Sequence, residues 1–209
     1  MLELYHNDTS TCAQKARLTL AEKGLEWKSH HLDLRAGDQQ KPEYLKLNPR
    51  GRVPTLVVDG HILTENVGIM TYVAGGHPKA NLWPRDTWHQ AQAVSTMAWL
   101  SNTVHTTFGH VVRPARYADD PAAQEAIKAK ARTMYEEQLR EIDRLLAGKK
   151  WSFDNRFTVV DGYLLVFYRW GNRQKMPVRS LANYSALMDR VLARPAVKKV
   201  MADEGITLD

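Results

Sequence analysis

The stretch VPTLVVDGHILTE, residues 53 to 65, predicts a β-hairpin. Two runs rich in β-branched and aliphatic residues, Thr55 to Val58 and His61 to Thr64, flank the dipeptide Asp59-Gly60. Asp and Gly tolerate the positive φ angles that a two-residue turn requires, and Asp-Gly between apolar runs is a strong short-range signal for a hairpin. We therefore expect two antiparallel strands that are joined at these two residues.

The segments on either side of the hairpin alternate between strand and helix patterns. The predicted strands are Leu2 to Tyr5 and Leu25 to Leu34, and the predicted helices are Ser10 to Lys23, a short helix from Pro42, and Asn66 to Gly75. Together with the hairpin, these segments give the order β-α-β-α-β-β-α. This order fits a small mixed sheet with helices packed on its faces.

The sequence changes character after this region. HPKANLWPRD, residues 77 to 86, contains two prolines and no periodicity, so it is predicted to be a linker. Beyond Thr87 we find no strand pattern, and the predicted helices span residues 87–111, 121–147, 158–173, 180–193 and 195–203. The chain is therefore predicted to contain two domains, an α/β domain of residues 1–78 and an all-helical domain of residues 86–209.

The composition is that of a globular protein. Of the 209 residues, 44% are hydrophobic and 25% are charged, and no apolar run approaches the roughly 20 residues that cross a bilayer, so no membrane partner is expected. The net charge of +6 comes from scattered Lys and Arg residues, which does not favour nucleic acid. A single cysteine, Cys12, and the absence of a signal-like pattern in residues 1–8 favour the cytoplasm.

Two features near the hairpin suggest a peptide ligand. A cis bond between Val53 and Pro54 would turn the backbone N–H and C=O of Val53 outward, where an extended peptide can pair with them; a trans proline at the start of a strand is the alternative. At Glu65 and Asn66 a helix begins, whose unpaired N–H groups favour a carboxylate, while Glu65 can hold an ammonium group. The alternative is that Asn66 only caps the helix.

The stretch TSTCAQKARLTLAEKG, residues 9 to 24, supplies a third feature. Ser10, Thr11 and Cys12 begin a helix directly after the first strand. A thiol ligand at that place would have its thiolate stabilised by the helix dipole and by a hydroxyl donor. The alternative is that Ser10 or Thr11 is a plain N-cap and Cys12 a small buried residue. An extended peptide with an amino-acid head group and a thiol fits all three features, and glutathione is such a peptide.

The chain resembles the cytosolic glutathione transferases over nearly its whole length. Four stretches carry the resemblance: TSTCAQKARLTLAEKG, KPEYLKLNPRGRVPTLVVDG, LTENVGIMTYV and RFTVVDGYLL. In the last of them Thr158 and Asp161 have the spacing of a helix capping box, while Val160 and Gly162 depart from the family's usual residues. The resemblance implies a thioredoxin-like N-terminal domain that binds glutathione, followed by an all-helical C-terminal domain with a hydrophobic substrate site and the contacts of a homodimer.

The resemblance also assigns glutathione-binding roles by position. Val53 would pair through its backbone with the cysteinyl unit. Glu65 and Asn66 would hold the γ-glutamyl group, although most relatives have serine in place of Asn66. Gln39 and Arg52 would contact the glycyl end, and a solvent-exposed arginine without that role is the equal alternative for Arg52.

Two catalytic assignments are open at the first helix. Ser10 stands where zeta-class enzymes keep a catalytic serine, and its hydroxyl would stabilise the glutathione thiolate for attack on an electrophilic small molecule, as in detoxification, or for isomerisation. Cys12 stands where beta-class bacterial enzymes keep a cysteine, and its thiolate would form a mixed disulfide with glutathione, as in deglutathionylation. We favour Ser10. A non-catalytic module that only binds glutathione is a further possibility.

The histidines and the second substrate complete the predictions. His105 stands where beta-class relatives have an active-site histidine, and a surface or core histidine is the alternative. The second substrate is expected between the domains, against Trp99, Asn102, His105, Thr106, Phe108 and Val112. The eight histidines show no ligand spacing with acidic residues or with cysteine, so no metal is expected. The remaining histidines, including His6, His30, His31 and His110, are interpreted as surface residues.

Overall fold

A computed structural model describes residues 1–76, 81–153 and 156–205 of the chain. The Cα positions divide it into two compact units. The first unit runs from Met1 to Trp83 and also includes a C-terminal segment that starts at Leu192, while the second runs from Pro84 to Val191. The predicted linker lies partly outside the described residues, since 77–80 are among those not described.

The first unit contains a four-stranded mixed sheet in the order β2-β1-β3-β4. Its strands are β1 (Leu2–His6), β2 (Lys28–His31), β3 (Thr55–Val58) and β4 (His61–Thr64). The pair β1 and β2 is parallel, whereas β1 with β3 and β3 with β4 are antiparallel. A parallel pair needs a crossover connection, and the helix between β1 and β2 provides it.

The predicted hairpin is confirmed. Its turn residues Asp59 and Gly60 have φ angles of 49° and 84°, the left-handed conformation that favours Asp-Gly at this place. The predicted strand Leu25 to Leu34 is wrong in length, because only Lys28–His31 forms β2. As an edge strand, β2 pairs with β1 alone, and that pairing ends where β1 ends, at His6.

The helices before the second unit are α1 (Thr11–Glu22), α2 (Pro42–Leu45) and α3 (Asn66–Gly76), and α1 and α3 contribute the residues that pack against the sheet. They agree closely with the predicted helices. The core between sheet and helices consists of fully buried aliphatic side chains from β1, α1, β3 and α3, namely Leu4, Ala16, Leu20, Leu56, Ile69 and Val73. Their burial removes apolar surface from water and holds the ends of the strands in fixed positions.

A further helix, α9 (Pro195–Asp203), packs against α1 within this unit. Arg194 forms a bidentate ion pair with Glu22, with both N···O distances 2.6 Å, and the guanidinium of Arg17 lies 3.0 Å from the buried carboxylate of Glu204. The prediction placed all residues from 86 onward in the C-terminal domain. The structure instead groups residues 192–205 with the first unit, because these charged and apolar contacts hold α9 on α1.

The second unit is helical, and its described residues contain no strand. Its helices are α4 (Thr87–Trp99), α5 (His105–Val112), α6 (Pro121–Leu145), α7 (Val159–Arg173) and α8 (Ala182–Leu192). The predicted single helix 87–111 is interrupted, since Leu100–Val104 form a π-helix between α4 and α5. Among the described residues, no helix combines the length and apolar character needed to span a membrane.

Candidate functional site

Three connections of the first unit meet at one edge of its sheet. Tyr5, near the end of β1, is paired with Thr55 at the start of β3, and Thr55 is paired with Thr64 at the end of β4. The loop that holds Ser10, the loop that holds Val53 and the turn after β4 therefore leave the sheet at the same edge. The strand pairing thus brings together the three separate features that the sequence suggested for a peptide ligand.

Ser10 is the N-cap of α1. Its backbone has the extended conformation, with φ −80° and ψ 107°, and its Oγ accepts a hydrogen bond from the backbone N–H of Ala13 at 3.3 Å. This contact occupies a lone pair of Oγ and leaves the hydroxyl proton able to donate. Ser10 is half-buried, so a ligand can reach its hydroxyl. Its function as the N-cap therefore does not exclude contact with a ligand.

The loop before Ser10 is held by hydrogen bonds. The Asn7 amide donates to the backbone carbonyl of Leu32 at 2.8 Å, and its Oδ1 accepts from the backbone N–H and from the hydroxyl of Thr9 at 3.0 and 2.6 Å. These bonds tie the loop to the end of β2. They fix the direction in which α1 begins.

Cys12 and Lys15 lie in the first turns of α1. Cys12 is half-buried and is not part of a disulfide, which disagrees with the alternative of a small buried residue. Lys15 is fully buried; burial lowers its pKa to about 8, and the nearby Cys12 opposes that shift. Lys15 was not among the predicted site residues. The one signal was its spacing of three residues from Cys12, which puts both on one side of the helix.

Val53 precedes a cis peptide bond to Pro54. The carbonyl of Arg52 accepts hydrogen bonds from the Tyr44 hydroxyl and, at 2.8 Å, from the Asn48 amide, and both donors are buried. Among the described residues, the peptide groups of Val53 make no hydrogen bond. The loop is therefore held through Arg52, while Val53 keeps a donor and an acceptor for an extended peptide.

Glu65 and Asn66 mark the start of α3. Glu65 has φ +66°, a conformation that a residue with a side chain adopts at a cost of about 1–3 kcal/mol and that is concentrated at functional sites. Its carbonyl accepts the N–H of Ile69 at 3.0 Å, so Glu65 is the cap and Asn66 the first helical residue. The interpretation of Asn66 as a cap is wrong. The Oδ1 of Asn66 is buried and has no hydrogen-bond partner among the described residues.

Gln39 and Arg52 were predicted to contact the glycyl end of glutathione. Gln39 lies in a 3₁₀ turn, Asp38–Gln40, and its amide donates to the carbonyl of Leu34 at 3.4 Å. Its Oε1 is buried and lacks a hydrogen-bond partner in the described part of the chain. The side chain of Arg52 is exposed. Gln39 thus keeps an acceptor that a ligand N–H group or water can use, whereas the exposed Arg52 guanidinium can donate to a carboxylate.

The residues predicted for the second substrate belong to the second unit and differ in exposure. Phe108 is buried and stacks on Trp170 with ring centroids 4.3 Å apart, so it contributes to the core. His105 is half-buried, and its ring lies 4.9 Å from that of Trp170. Trp99 is also half-buried, whereas the other predicted residues, Asn102, Thr106 and Val112, are exposed.

A cavity of about 430 Å³ lies within the second unit, between α4, α6 and α7. Of the six residues predicted for the second substrate, Trp99 alone belongs to the described lining of this cavity. The cavity and the predicted substrate surface are therefore largely different places on this unit.

The interpretation of four histidines as surface residues is wrong for His6. His6 is 3% exposed, because it extends β1 by one residue and shares the inward face of that strand with Leu4. Burial lowers its pKa to about 4, and the Arg17 guanidinium adds to this effect. The two-residue period of a strand places His6 on the same face as Leu4, and this was a usable sequence signal for the burial of His6.

The other three histidines have side-chain or backbone partners. His30 is half-buried against Tyr5 and lies 2.7 Å from Glu3, and His110 contacts the carbonyl of Thr106 at 2.8 Å. His31 is about half exposed and lies beside Asp8. Of these three, His31 is the exposed one, and His30 and His110 are half-buried.

Comparisons with known proteins cover both units. The glutathione S-transferase N-terminal domain model matches residues 9–74, and the glutathione S-transferase C-terminal domain model matches residues 100–195. The chain is 29% identical over 198 residues to glutathione S-transferase GstA of Escherichia coli O157:H7, with 93% of this chain and 95% of the relative covered. It is 30% identical over 176 residues to glutathione S-transferase GST-4.5 of Xanthomonas campestris pv. campestris, with 82% and 84% covered.

A solved structure gives the same result. A glutathione transferase homologue from Sulfitobacter, with bound glutathione, matches with a TM-score of 0.89 and 28% identity over 99% of both chains. The fold is therefore a thioredoxin-like domain followed by a helical domain, as predicted. Because the two domain models together match more than half of the chain and the relatives align over most of their length, this chain belongs to the glutathione S-transferase family.

Proposed function

We propose that this chain is a glutathione transferase that activates the thiol of glutathione at the start of α1 for attack on an electrophilic small molecule. The observation that carries the proposal is the meeting of three connections at one sheet edge, which supplies groups for each part of the tripeptide. The peptide groups of Val53 pair with the cysteinyl unit, and Glu65 with Asn66 holds the γ-glutamyl group. Gln39 and Arg52 contact the glycyl end, where Arg52 pairs with the carboxylate.

Ser10 stabilises the thiolate in this proposal. Lowering the pKa of a thiol from about 8.5 to about 6.5 requires about 2.7 kcal/mol of preferential stabilisation of the thiolate. A hydrogen bond to a charged group supplies roughly 1.5–3 kcal/mol, and a helix N-terminus up to about 2 kcal/mol. One hydroxyl at the N-cap of α1 is therefore sufficient. In the conjugation step a sulfur–carbon bond forms, and the leaving group departs from the electrophile with its electron pair.

Cys12 supports a second candidate chemistry, because it is a half-buried thiol outside any disulfide at the same helix end. Its thiolate would attack one sulfur of glutathione disulfide, so that the sulfur–sulfur bond breaks and a glutathione thiolate leaves. A mixed disulfide on Cys12 results, and a second thiol must resolve it. The beta-like and zeta-like assignments of the family correspond to these two chemistries.

Two variants separate the candidates. With a chloronitrobenzene electrophile, we expect Ser10→Ala to lower kcat/KM by about a hundredfold, equivalent to the loss of about 2.7 kcal/mol, and to move the pH–rate profile to higher pH. Cys12→Ser should keep most of the activity. Loss of conjugation in Cys12→Ser, together with a stable Cys12 adduct by mass spectrometry after incubation with glutathione disulfide, would reverse the assignment.

Binding is tested separately from catalysis. Titration calorimetry of the full chain with glutathione should give saturable binding at millimolar concentration, and no binding would overturn the whole proposal. Binding without either reaction would instead favour a non-catalytic glutathione-binding module. A soak with S-hexylglutathione then locates the electrophile site, since its alkyl chain occupies the second-substrate position.

The assembly and location are also proposals. We expect a cytoplasmic homodimer that serves in detoxification, as the family resemblance implies, with glutathione bound in the first unit (the domain predicted as residues 1–78) and dimer contacts in the helical domain. On α4, Trp88 is 71% exposed and Val94 is 37% exposed, which is compatible with a contact between subunits. Light scattering after size-exclusion chromatography should give twice the mass of one chain.

A further inference from the structure

Three potential metal ligands lie together at the ends of β1 and β2. His6 is the last residue of β1, His31 is the last residue of β2, and the parallel register pairs them directly. Asp8 follows β1 by two residues, on the loop that leads to Ser10. One ligand atom from each of these three side chains lies within 4.8 Å of the other two.

Each histidine lies about as far from an oxygen of Asp8 as two ligands of a shared cation do, and the two histidines face different oxygens of that carboxylate. His6 Nδ1 is 3.4 Å from Asp8 Oδ1, and His31 Nδ1 is 3.1 Å from Asp8 Oδ2. An ion with bonds of about 2.0–2.1 Å to its ligands in tetrahedral geometry keeps those ligand atoms about 3.3–3.4 Å apart. The exposed ring of His31 can rotate to close the remaining gap to His6.

His6 provides the independent sign of a ligand. The side chain is 3% exposed, and within the described residues its Nδ1 has no hydrogen-bond partner. Its other nitrogen, Nε2, lies 2.6 Å from the hydroxyl of Ser29. When Nε2 carries the proton and donates to Ser29, Nδ1 directs a lone pair toward Asp8. In most metal-binding histidines, the ring nitrogen that does not bind the metal donates such a hydrogen bond, which orients the ring.

Neighbouring charges leave room for a cation. The Arg17 guanidinium donates to Asp8 Oδ1 at 3.1 Å, which orients the carboxylate and leaves Oδ2 facing His31. Arg17 is also paired with the buried Glu204, so part of its positive charge is already balanced. His30, the neighbour of His31, contacts Glu3 at 2.7 Å and lies outside the cluster.

We propose that His6, Asp8 and His31 form a binding site for a divalent first-row transition metal ion such as Zn²⁺. Two imidazoles and one carboxylate are a common ligand set for such ions, and the half-exposed Asp8 and His31 leave a position for water. A bound ion joins the ends of β1 and β2 to the loop before Ser10. The site needs none of the residues assigned to glutathione, so it stands apart from the proposed function.

Calorimetry with ZnCl₂ on the tag-free full chain, after treatment with a chelator, tests the proposal. We expect one saturable site per chain, with Asp8→Asn and His31→Ala each weakening binding by at least about tenfold, the loss typical of even outer-shell changes. His31 is exposed, so its replacement leaves the fold intact. The absence of saturable binding with ZnCl₂ in large excess would overturn the proposal.

His89→Ala is the matched control, because His89 also lies beside a carboxylate, 2.6 Å from Asp86, but belongs to no group of three potential metal ligands in the described part of the chain. Its Zn²⁺ affinity should equal that of the original chain. An equal loss in His89→Ala and His31→Ala would show nonspecific histidine binding and contradict the proposal. With CoCl₂, Cys12→Ser should keep the visible absorption bands of the bound ion; their loss in that variant would assign the metal to the thiol instead.

Discussion

Lys15 lies wholly inside the first unit, one turn along α1 from Cys12. Burial lowers the pKa of this lysine from 10.5 to about 8, and Cys12 opposes the shift. Between about pH 8 and pH 10.5 the unfolded chain therefore binds more protons at this position than the folded chain does. Under these conditions the free energy of unfolding rises with pH, so the charged lysine destabilises the fold at neutral pH.

We predict that Lys15→Met raises the free energy of unfolding by about 2 kcal/mol at pH 7, because it removes a buried charge and keeps the length of the side chain. The difference between variant and original chain should shrink toward pH 10, where Lys15 is largely neutral in the folded state. Urea unfolding at several pH values measures both effects.

The exposed Lys198→Met is the control for this experiment, and it should change the free energy of unfolding by only a few tenths of a kcal/mol at either pH. A destabilised Lys15→Met variant would mean that contacts of the ammonium group outweigh its desolvation.

Asn66 allows a prediction about glutathione binding. Its buried Oδ1 lacks a hydrogen-bond partner among the described residues, and a ligand donor would satisfy it. We expect Asn66→Ala to raise the KM for glutathione about tenfold or more with little change in kcat, since a hydrogen bond to the charged ammonium group contributes roughly 1.5–3 kcal/mol equally in the ground and transition states.

Steady-state kinetics at varied glutathione concentration measure this effect. Asn102→Ala, on the exposed surface of the second unit, should leave the KM for glutathione unchanged. An unchanged KM in Asn66→Ala would remove this side chain from the γ-glutamyl site and leave only its backbone N–H.

At the scale of the elements, local sequence predicted the strands and helices whose ends are marked by specific turn or capping residues. The hairpin follows from Asp59-Gly60, and the start of α7 follows from the capping box of Thr158 and Asp161, which is confirmed. The five-residue π-helix between α4 and α5 was not predictable, because no proline or glycine marks it. A π-helix differs from the flanking α-helix by one extra residue in the turn, and the apolar pattern of the sequence does not show where that residue is accommodated.

The capping box of α7 gives a prediction at this scale. Asp161 is fully buried and accepts hydrogen bonds from the backbone N–H groups of Ser152 and Thr158, both at 2.7 Å. Asp161→Ala leaves both donors without this acceptor, and we expect it to lower the free energy of unfolding by about 3 kcal/mol. Chemical denaturation followed by circular dichroism measures the change.

Asp120, the exposed N-cap of α6, provides the comparison. It accepts from the backbone N–H of Ala123 at 2.7 Å, and water can replace this bond. Asp120→Ala should therefore cost only about 1 kcal/mol. Similar losses in the two variants would show that burial adds nothing to the cap at Asp161.

At the scale of the whole molecule, the order of the elements along the chain did not predict that α9 belongs to the first unit. The sequence supported two domains, but the placement of α9 on α1 depends on pairs separated by more than 170 residues, such as Glu22 with Arg194. The meeting of His6, Asp8 and His31 has the same origin, since the register of a parallel strand pair is not contained in local spacing. The residues of the candidate glutathione site were found from motif resemblance, whereas the buried Lys15 was not.

The contact of α9 with α1 gives the prediction at this scale. Glu204 is buried and pairs with Arg17, whose guanidinium is also nearly inaccessible. Glu204→Gln removes the charge of the buried one of the two carboxylates that pair with Arg17, the other being the half-exposed Asp8. We expect a loss of about 2 kcal/mol in the free energy of unfolding. The exposed pair of Lys199 and Asp203 is the control, and Asp203→Asn should cost less than about 1 kcal/mol.

Differential scanning calorimetry can measure both variants. If Glu204→Gln has no larger effect than Asp203→Asn, then apolar packing rather than charge holds α9 on α1.

The return of α9 to the first unit has a consequence for synthesis of the chain. The ribosome releases β1 to β4 and α1 to α3 well before it has translated Pro195, yet the surface of α1 that α9 covers belongs to this early part. During elongation that surface faces the solvent or a chaperone. The first unit is thus completed only after the second has been translated, and α1 acquires its full packing only once α9 has been made.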